Sequence, residues 1–134
     1  MNIVYDSMLG KTKAFALELS QATGLPVYPI HDYDLDAPYV LLTYTIHFGQ
    51  VPDTTEEFLL EHATELVGVA SGGNRVWGDN FGRAADLIGE RYQVPVLHKF
   101  ELCGNPADID TMRERLGELN ETFRTERRSR QNRS

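Results

Sequence analysis

The sequence predicts an α/β domain: a five-stranded parallel sheet with helices on both faces. Three observations predict it. Short apolar runs alternate with longer segments that carry apolar residues at helical spacing. Two of those runs, YVLLTY at 39–44 and LVGVA at 66–70, are almost continuously apolar, as strands buried on both faces are. The length, 134 residues, fits one domain of ordinary size. Strands alternating with helices imply βαβ units and parallel pairing.

The elements follow in order. Asn2–Tyr5 (NIVY) is a short apolar run and the first strand. Residues 10–21 form a helix, with Phe15, Leu17 and Leu19 among good helix formers, and Thr23 and Gly24 close it. Residues 26–30 (PVYPI) read as a strand near an edge, because proline cannot donate to a ladder. The next link, HDYDLDAP, is too short for a crossover helix, a departure from strict alternation. YVLLTY is the third strand, Asp53–His62 a helix and LVGVA the fourth strand. A helix follows over 79–91, with Phe81, Ala84, Ala85 and Ile88 at i, i+3, i+4, i+7. Residues 94–100 are the last strand and 106–123 the last helix. There is no internal repeat.

Composition narrows the function. An apolar content of 41% and a charged content of 25% suit a soluble globular chain. No apolar run reaches the ~18 residues that span a membrane. The start, MNIVYDSMLG, lacks the basic and apolar regions of a signal peptide. The expected location is cytoplasmic. A single cysteine, Cys103, excludes an internal disulfide and a cysteine-based metal site, and reads as a plain loop residue. Five of the 13 Lys and Arg residues fall in the last eleven positions, opposed there by Glu126 alone. Residues 1–123 therefore hold 8 basic and 19 acidic residues. So acidic a body argues against nucleic acid as partner. The domain is expected over 1–123, and the basic tail 124–134 is expected to be disordered.

In open parallel sheets, ligands bind beyond the carboxyl ends of the strands, where the winding reverses. Three loops leave such ends: DSMLGKT, TYTIHFGQVPD and SGGNRVWGDNFG. They are rich in Gly, Ser, Thr, Asn and aromatic residues, which expose backbone amides, donate hydroxyls and stack on flat rings. Together they suggest a flat, phosphorylated aromatic ligand. DSMLGKT is not a triphosphate loop. Such a loop needs Gly five positions before the Gly-Lys pair, and that position is Tyr5. It suits one phosphate, held by the hydroxyls of Ser7 and Thr12 and the amides of residues 8–12. An ordinary helix cap by Ser7 is the plainer alternative. Trp77 and Phe48 suit stacking on a ligand or partner, or local packing. His47 is either a solvent-facing loop residue or a ligand hydrogen-bonding one. Asp79, at a helix start, reads as an N-cap. A phosphate-receiving signalling domain is a competing reading, with Asp6 and Lys99 as its outer residues. It fails for want of an acceptor aspartate in Thr43-Tyr44-Thr45.

Taken together, the loops resemble the NrdI family, flavodoxin-like stimulatory proteins of class Ib ribonucleotide reductase. The likeness covers roughly residues 2–120. It is carried by YDSMLGKTKAF, by TYTIHFGQVP, and above all by SGGNRVWGDNFG followed by VPVLHKFELCG. The resemblance implies a flavodoxin-like fold, sheet order 2-1-3-4-5, and non-covalent FMN. Ser7, Met8, Leu9, Gly10, Lys11 and Thr12 would hold the phosphate. Thr43, Tyr44, Thr45, Ile46, His47, Phe48 and Gly49 would form one wall of the ring pocket. Ser71, Gly72, Gly73, Asn74, Trp77, Gly78 and Asp79 would form the other. The implied activity is redox, that of an activator rather than a stand-alone enzyme. Flavin reduced by an electron donor reacts with dioxygen, and superoxide passes to the dimanganese centre of the reductase small subunit to help form its tyrosyl radical. No catalytic side chain and no protein-bound metal are needed. Leu9, Lys11 and His47 depart from the family's usual Thr, Asn and Gly. In flavodoxin-like proteins a Gly peptide at the place of His47 can flip toward the reduced flavin, and a non-glycine makes that flip costlier. A general electron-transfer flavodoxin, or a binding module that has lost FMN, are the alternatives.

Overall fold

The structure is a computed structural model that describes the backbone of residues 1–131 and the side chains of residues 1–121. Among the described residues there are five strands, β1 (Asn2–Tyr5), β2 (Val27–Pro29), β3 (Tyr39–Tyr44), β4 (Leu66–Gly73) and β5 (Val96–Glu101). The helices are α1 (Lys11–Thr23), α2 (Asp53–His62), α3 (Arg83–Tyr92) and α4 (Pro106–Gln131). All strand pairs are parallel, in the order β2-β1-β3-β4-β5. The expected architecture is therefore present.

The near-continuous apolar run of β3 is explained by its two neighbours. Alternate side chains of a strand face opposite sides. Val40 and Leu42 pack with Ile3, Phe15, Leu19, Phe100 and Met112 under α1 and α4. Tyr39 and Leu41 pack with Val4, Phe58, Leu59, Ala85 and Ile88 under α2 and α3. The Phe15 and Phe100 rings stack at 4.2 Å between centroids. Burial of one such ring stabilises by about 2–3 kcal/mol. No α-helix joins β2 to β3; a single 3-10 turn over Ile30–Asp32 does, and Tyr33 follows it into the core. Tyr33 is buried, lies 5.3 Å from the Tyr39 ring, and donates its hydroxyl to the Ala37 carbonyl. This short link moves the chain from one side of β1 to the other, so the winding reverses at β1 and β3.

Several boundaries differ from expectation, among them β2 and β5, which run Val27–Pro29 and Val96–Glu101 and not 26–30 and 94–100. α1 starts at Lys11, with Gly10 as its N-cap in the left-handed region; Gly24 ends it in the same region, as glycine after a helix does. β4 runs on to Gly73, so Ser71, Gly72 and Gly73 are strand and not loop. α3 starts at Arg83 and not at Asp79, because the chain first makes a 3-10 turn over Arg75–Asn80. The backbone of α4 continues past Phe123 to Gln131, while the tail's side chains and residues 132–134 lie outside the described residues. No helix among the described residues is long and apolar enough to cross a membrane.

Candidate functional site

A cleft of about 230 Å³ opens over the carboxyl ends of β1, β3, β4 and β5. Four loops line it. Ser7, Met8, Leu9, Lys11 and Thr12 come from the β1–α1 loop, and Tyr44 and Thr45 from the end of β3. Gly72, Gly73, Asn74 and Trp77 come from β4 and its loop, and Leu102 from the loop after β5. The location matches the switch point that open parallel sheets use for ligands.

The β1–α1 loop is held lightly. Ser7 Oγ accepts the Gly10 N–H at 3.1 Å, so Ser7 braces the loop and does not cap the helix. Gly10 takes φ +87, and nothing lies within 4 Å of where a Cβ would stand; conformation alone asks for glycine here. Gly10 offers α1 no side-chain cap. The N–H groups of Lys11, Thr12 and Lys13 thus start a helix with no carbonyl one turn back to receive them. Thr12 is buried against the cleft, while Met8 and Leu9 are exposed. This end of the cleft has amide donors, two hydroxyls and one ammonium, the donor set of an anion site.

Below it lies a network that the sequence did not reveal. Asp6 is buried and accepts hydroxyl hydrogen bonds from Thr54 (2.5 Å) and Thr55 (2.6 Å). Thr43 shares a hydrogen bond with Thr55 (2.8 Å) and is fully buried, so it supports the site and does not line the cleft. Burial above all, and then the nearby Asp6 charge, push the Tyr44 phenol up from its ordinary value, and a hydrogen bond with Thr54 pulls the other way. Tyr44 therefore meets the cleft as a neutral phenol. Lys99 is ion-paired with Asp86 at 2.5 Å. The two residues of the signalling reading, Asp6 and Lys99, are thus each engaged with other partners.

Residues 46–49 form a tight turn closed by an antiparallel bridge between Ile46 and Gln50. His47 sits at φ +50, an uncommon conformation for a side-chain-bearing residue. Phe48 is 90% exposed. Gly49 takes φ +96, and a Cβ there would come within 2.7 Å of Arg83 Cδ. The turn carries Ile46, His47, Phe48 and Gly49 beside the cleft, and none of the four lines it.

The opposite side is built firmly. Ser71, expected in the ring wall, is fully buried instead; its hydroxyl donates to the Gly82 carbonyl (2.7 Å) and accepts the Ala85 N–H (3.1 Å). Thr45 Oγ1 accepts the Ala84 N–H at 3.3 Å. Ser71 of β4 and Thr45 just after β3 thus cap α3, and Asp79 does not. Gly72 and Gly73 do line the cleft, and side chains on them would meet Phe100 (2.8 Å) and the Gly82 backbone (3.0 Å). Asn74 Oδ1 accepts the Val76 N–H, which starts the turn that presents Trp77, 39% exposed. Gly78, at φ 56 and ψ −120, lets that turn kink, but neither Gly78 nor Asp79 lines the cleft. Leu102 was missed. Its φ of +57 brings it to the cleft from a strand end beside β4, and the shared carboxyl edge was the signal that pointed there.

Comparison with known proteins bears on the family and the fold. The family model described as "NrdI Flavodoxin like" matches residues 3–114. The chain belongs to the NrdI flavodoxin-like family. It is 46% identical over 110 residues to Protein NrdI of Bacillus licheniformis, covering 82% of each chain. To Protein NrdI of Macrococcus caseolyticus it is 40% identical over 129 residues, covering 90% of this chain and 92% of that one. Among solved structures it resembles a Fusobacterium nucleatum flavodoxin bound to flavin mononucleotide, with TM-score 0.69 and 13% identity over 90% of this chain and 96% of that one. The last likeness bears on fold alone. For a NrdI-type chain, the KFELCG stretch at the end of β5 now has a structural place, beside the β4 loop.

Proposed function

We propose that the cleft binds FMN and that the protein is a redox activator of the class Ib ribonucleotide reductase small subunit. The observation that carries this reading is the polarity of the cleft from end to end. Free helix-start amides, Ser7, Thr12 and Lys11 stand at one end, which suits a single phosphate. Trp77, Tyr44 and the flat Gly72-Gly73 backbone stand at the other, which suits a planar ring. The membership in the NrdI family supports the same cofactor and the same partner. When bound and reduced by an electron donor, FMN supplies the electron that turns dioxygen into superoxide, the oxidant for assembling a dimanganese–tyrosyl radical cofactor.

The chain's own residues bind, orient and shield. Lys11 and the first turn of α1 neutralise the phosphate. Thr45 and Asn74 line the cleft and would offer polar groups to the ring, and Tyr44, kept neutral, adds no charge. Exposed Met8, Leu9, Phe48, Val76 and Leu102 surround this end of the molecule, and an apolar rim of that kind supports a partner protein covering it. A cytoplasmic location is part of the reading.

Two measurements test it. The purified protein should be yellow, or turn yellow with added FMN, and bleach on reduction; a colourless protein that cannot be reconstituted would end both flavin readings. Reduced protein should then raise tyrosyl-radical yield in a manganese-loaded small subunit under oxygen. A flavin-bearing protein that gives no stimulation would be a general electron-transfer flavodoxin instead.

A further inference from the structure

Trp77 stands on a turn with little to hold it. Within Arg75–Asn80 all hydrogen bonds but one are local: Val76 N–H to Asn74 Oδ1, Trp77 N–H to the Asn74 carbonyl, Phe81 N–H to the Gly78 carbonyl, and Arg83 Nη1 to Asn80 Oδ1. Arg75 lays its guanidinium over Phe81, 5.3 Å from the ring centre, which is again local. Gly78 breaks the turn in the middle with φ 56 and ψ −120. Such a segment does not fix its own distance from the sheet.

One contact does reach the sheet. The Arg75 N–H donates to Glu101 Oε2 at 3.0 Å. Glu101 is the last residue of β5, in register with Gly73 of β4. Its own backbone is firmly set. Its carbonyl accepts the Gly104 N–H at 2.9 Å, closing the turn that holds Leu102. A Cβ on Gly104 would lie 2.6 Å from Phe15, so that turn rests directly on the core. Leu102 N–H in turn donates to the Gly73 carbonyl at 3.4 Å. Glu101 therefore joins two walls of the cleft: Leu102 through its backbone, and the Trp77 turn through its carboxylate. Lys99, two residues earlier on the same face of β5, is committed to Asp86. Glu101 itself does not line the cleft.

We propose that Glu101 is a positioning residue whose carboxylate, accepting the Arg75 N–H, sets the spacing between the Trp77 wall and the Leu102 wall before any ligand arrives. A charge-assisted bond to a backbone amide is stronger than a neutral one, which suits the single tie of a turn. The role needs an acceptor at this point, and the negative charge strengthens it. The inference rests on the FMN reading for its second readout and not for its first.

The chain has one tryptophan, so emission reports Trp77 alone. In flavin-free full-length protein, Glu101→Ala should shift Trp77 emission to the red and raise its quenching by acrylamide. The dissociation constant for added FMN should rise about tenfold, the size of one strong hydrogen bond. Glu101→Gln keeps an acceptor and should stay within about threefold of wild type. A second variant removes the donor. Arg75→Pro lacks the N–H, and Asn74, at φ −117 and ψ 125, already has the conformation a residue before proline prefers. It should reproduce Glu101→Ala, the double variant should be no worse than either, and Arg75→Ala should leave the emission unchanged. Wild-type emission and FMN affinity in Glu101→Ala would overturn the proposal. So would a Glu101→Gln variant as impaired as Glu101→Ala. Failure of every form, wild type included, to bind FMN would refute the flavin reading and leave the emission test standing.

Discussion

The two ends of the cleft are built in opposite ways. At the proposed ring end, Ser71 and Thr45 hold the start of α3, a carboxylate ties down the Trp77 turn, and glycines press against Phe100 and Gly82. The backbone N–H groups of Arg75, Val76, Ala84 and Ala85 there already have acceptors. At the proposed phosphate end, one hydrogen bond braces the loop, Met8 and Leu9 lie exposed, and α1 begins without a side-chain cap. The difference teaches where ligand binding would act. A preformed wall loses little entropy on binding, whereas uncapped amides become satisfied when an anion arrives.

The contrast can be broken or sharpened by substitution. The largest effect is expected at Ser71, where alanine removes both hydrogen bonds of a buried hydroxyl and leaves the Gly82 carbonyl and Ala85 N–H only their 3.2 Å bond to each other. Stability should fall by about 2–3 kcal/mol in urea unfolding of the flavin-free protein. A loss under about 0.5 kcal/mol, within the range of neutral surface changes, would show that the ring wall does not depend on this hydroxyl. Next comes Gly78→Ala, which forces a side chain into a conformation essentially reserved for glycine and should cost about 1–3 kcal/mol. FMN titration of the same variant should show weaker binding; unchanged affinity would mean that the kink does not place Trp77.

At the phosphate end the pattern should invert. Lys11→Ala should leave unfolding within about 0.5 kcal/mol of wild type, because the side chain supports no other element. It should weaken FMN about tenfold, and lower the salt dependence of binding. Equal affinity with and without Lys11 would remove it from the phosphate site. The smallest effect belongs to the rim. His47→Gly relieves a positive φ and should raise stability by about 0.5 kcal/mol, the strain relieved less the entropy that glycine loses. Flavin reduction potentials should shift with it, and two unchanged potentials would remove His47 from redox tuning.

Much of the fold was legible because its signals are local. The apolar runs of β1, β3 and β4, the helical spacing at Ala84, Ala85 and Ile88, and Gly24 as a helix stop act within a few residues. Asp79 misled for the same reason. An acidic residue before an apolar helix reads as a cap, yet the caps of α3 come from Ser71 and Thr45, which are 14 and 39 residues away from the amides they serve. The loops of the site were legible as compositions of Gly, Ser, Asn and aromatics. Which of their residues face the cleft was not, since period-two alternation sends Thr43 inward and Tyr44 to the cleft. Leu102, and the bonds of buried Asp6 to Thr54 and Thr55, escaped notice because they depend on which strand ends are neighbours.

The sequence by itself determined the layers, the parallel pairing, the family and the three loops that meet at the switch point, since pattern and motif travel with the chain. Tertiary structure alone decided that β5 adds Leu102 as a fourth lining segment, that Thr43 and Ser71 support walls instead of forming them, and that Glu101 reaches Arg75 from another strand. The physical reason is distance along the chain. Hydrogen bonds such as Glu101 to Arg75, 26 residues apart, exist only once parallel strands have brought their carboxyl ends to one edge.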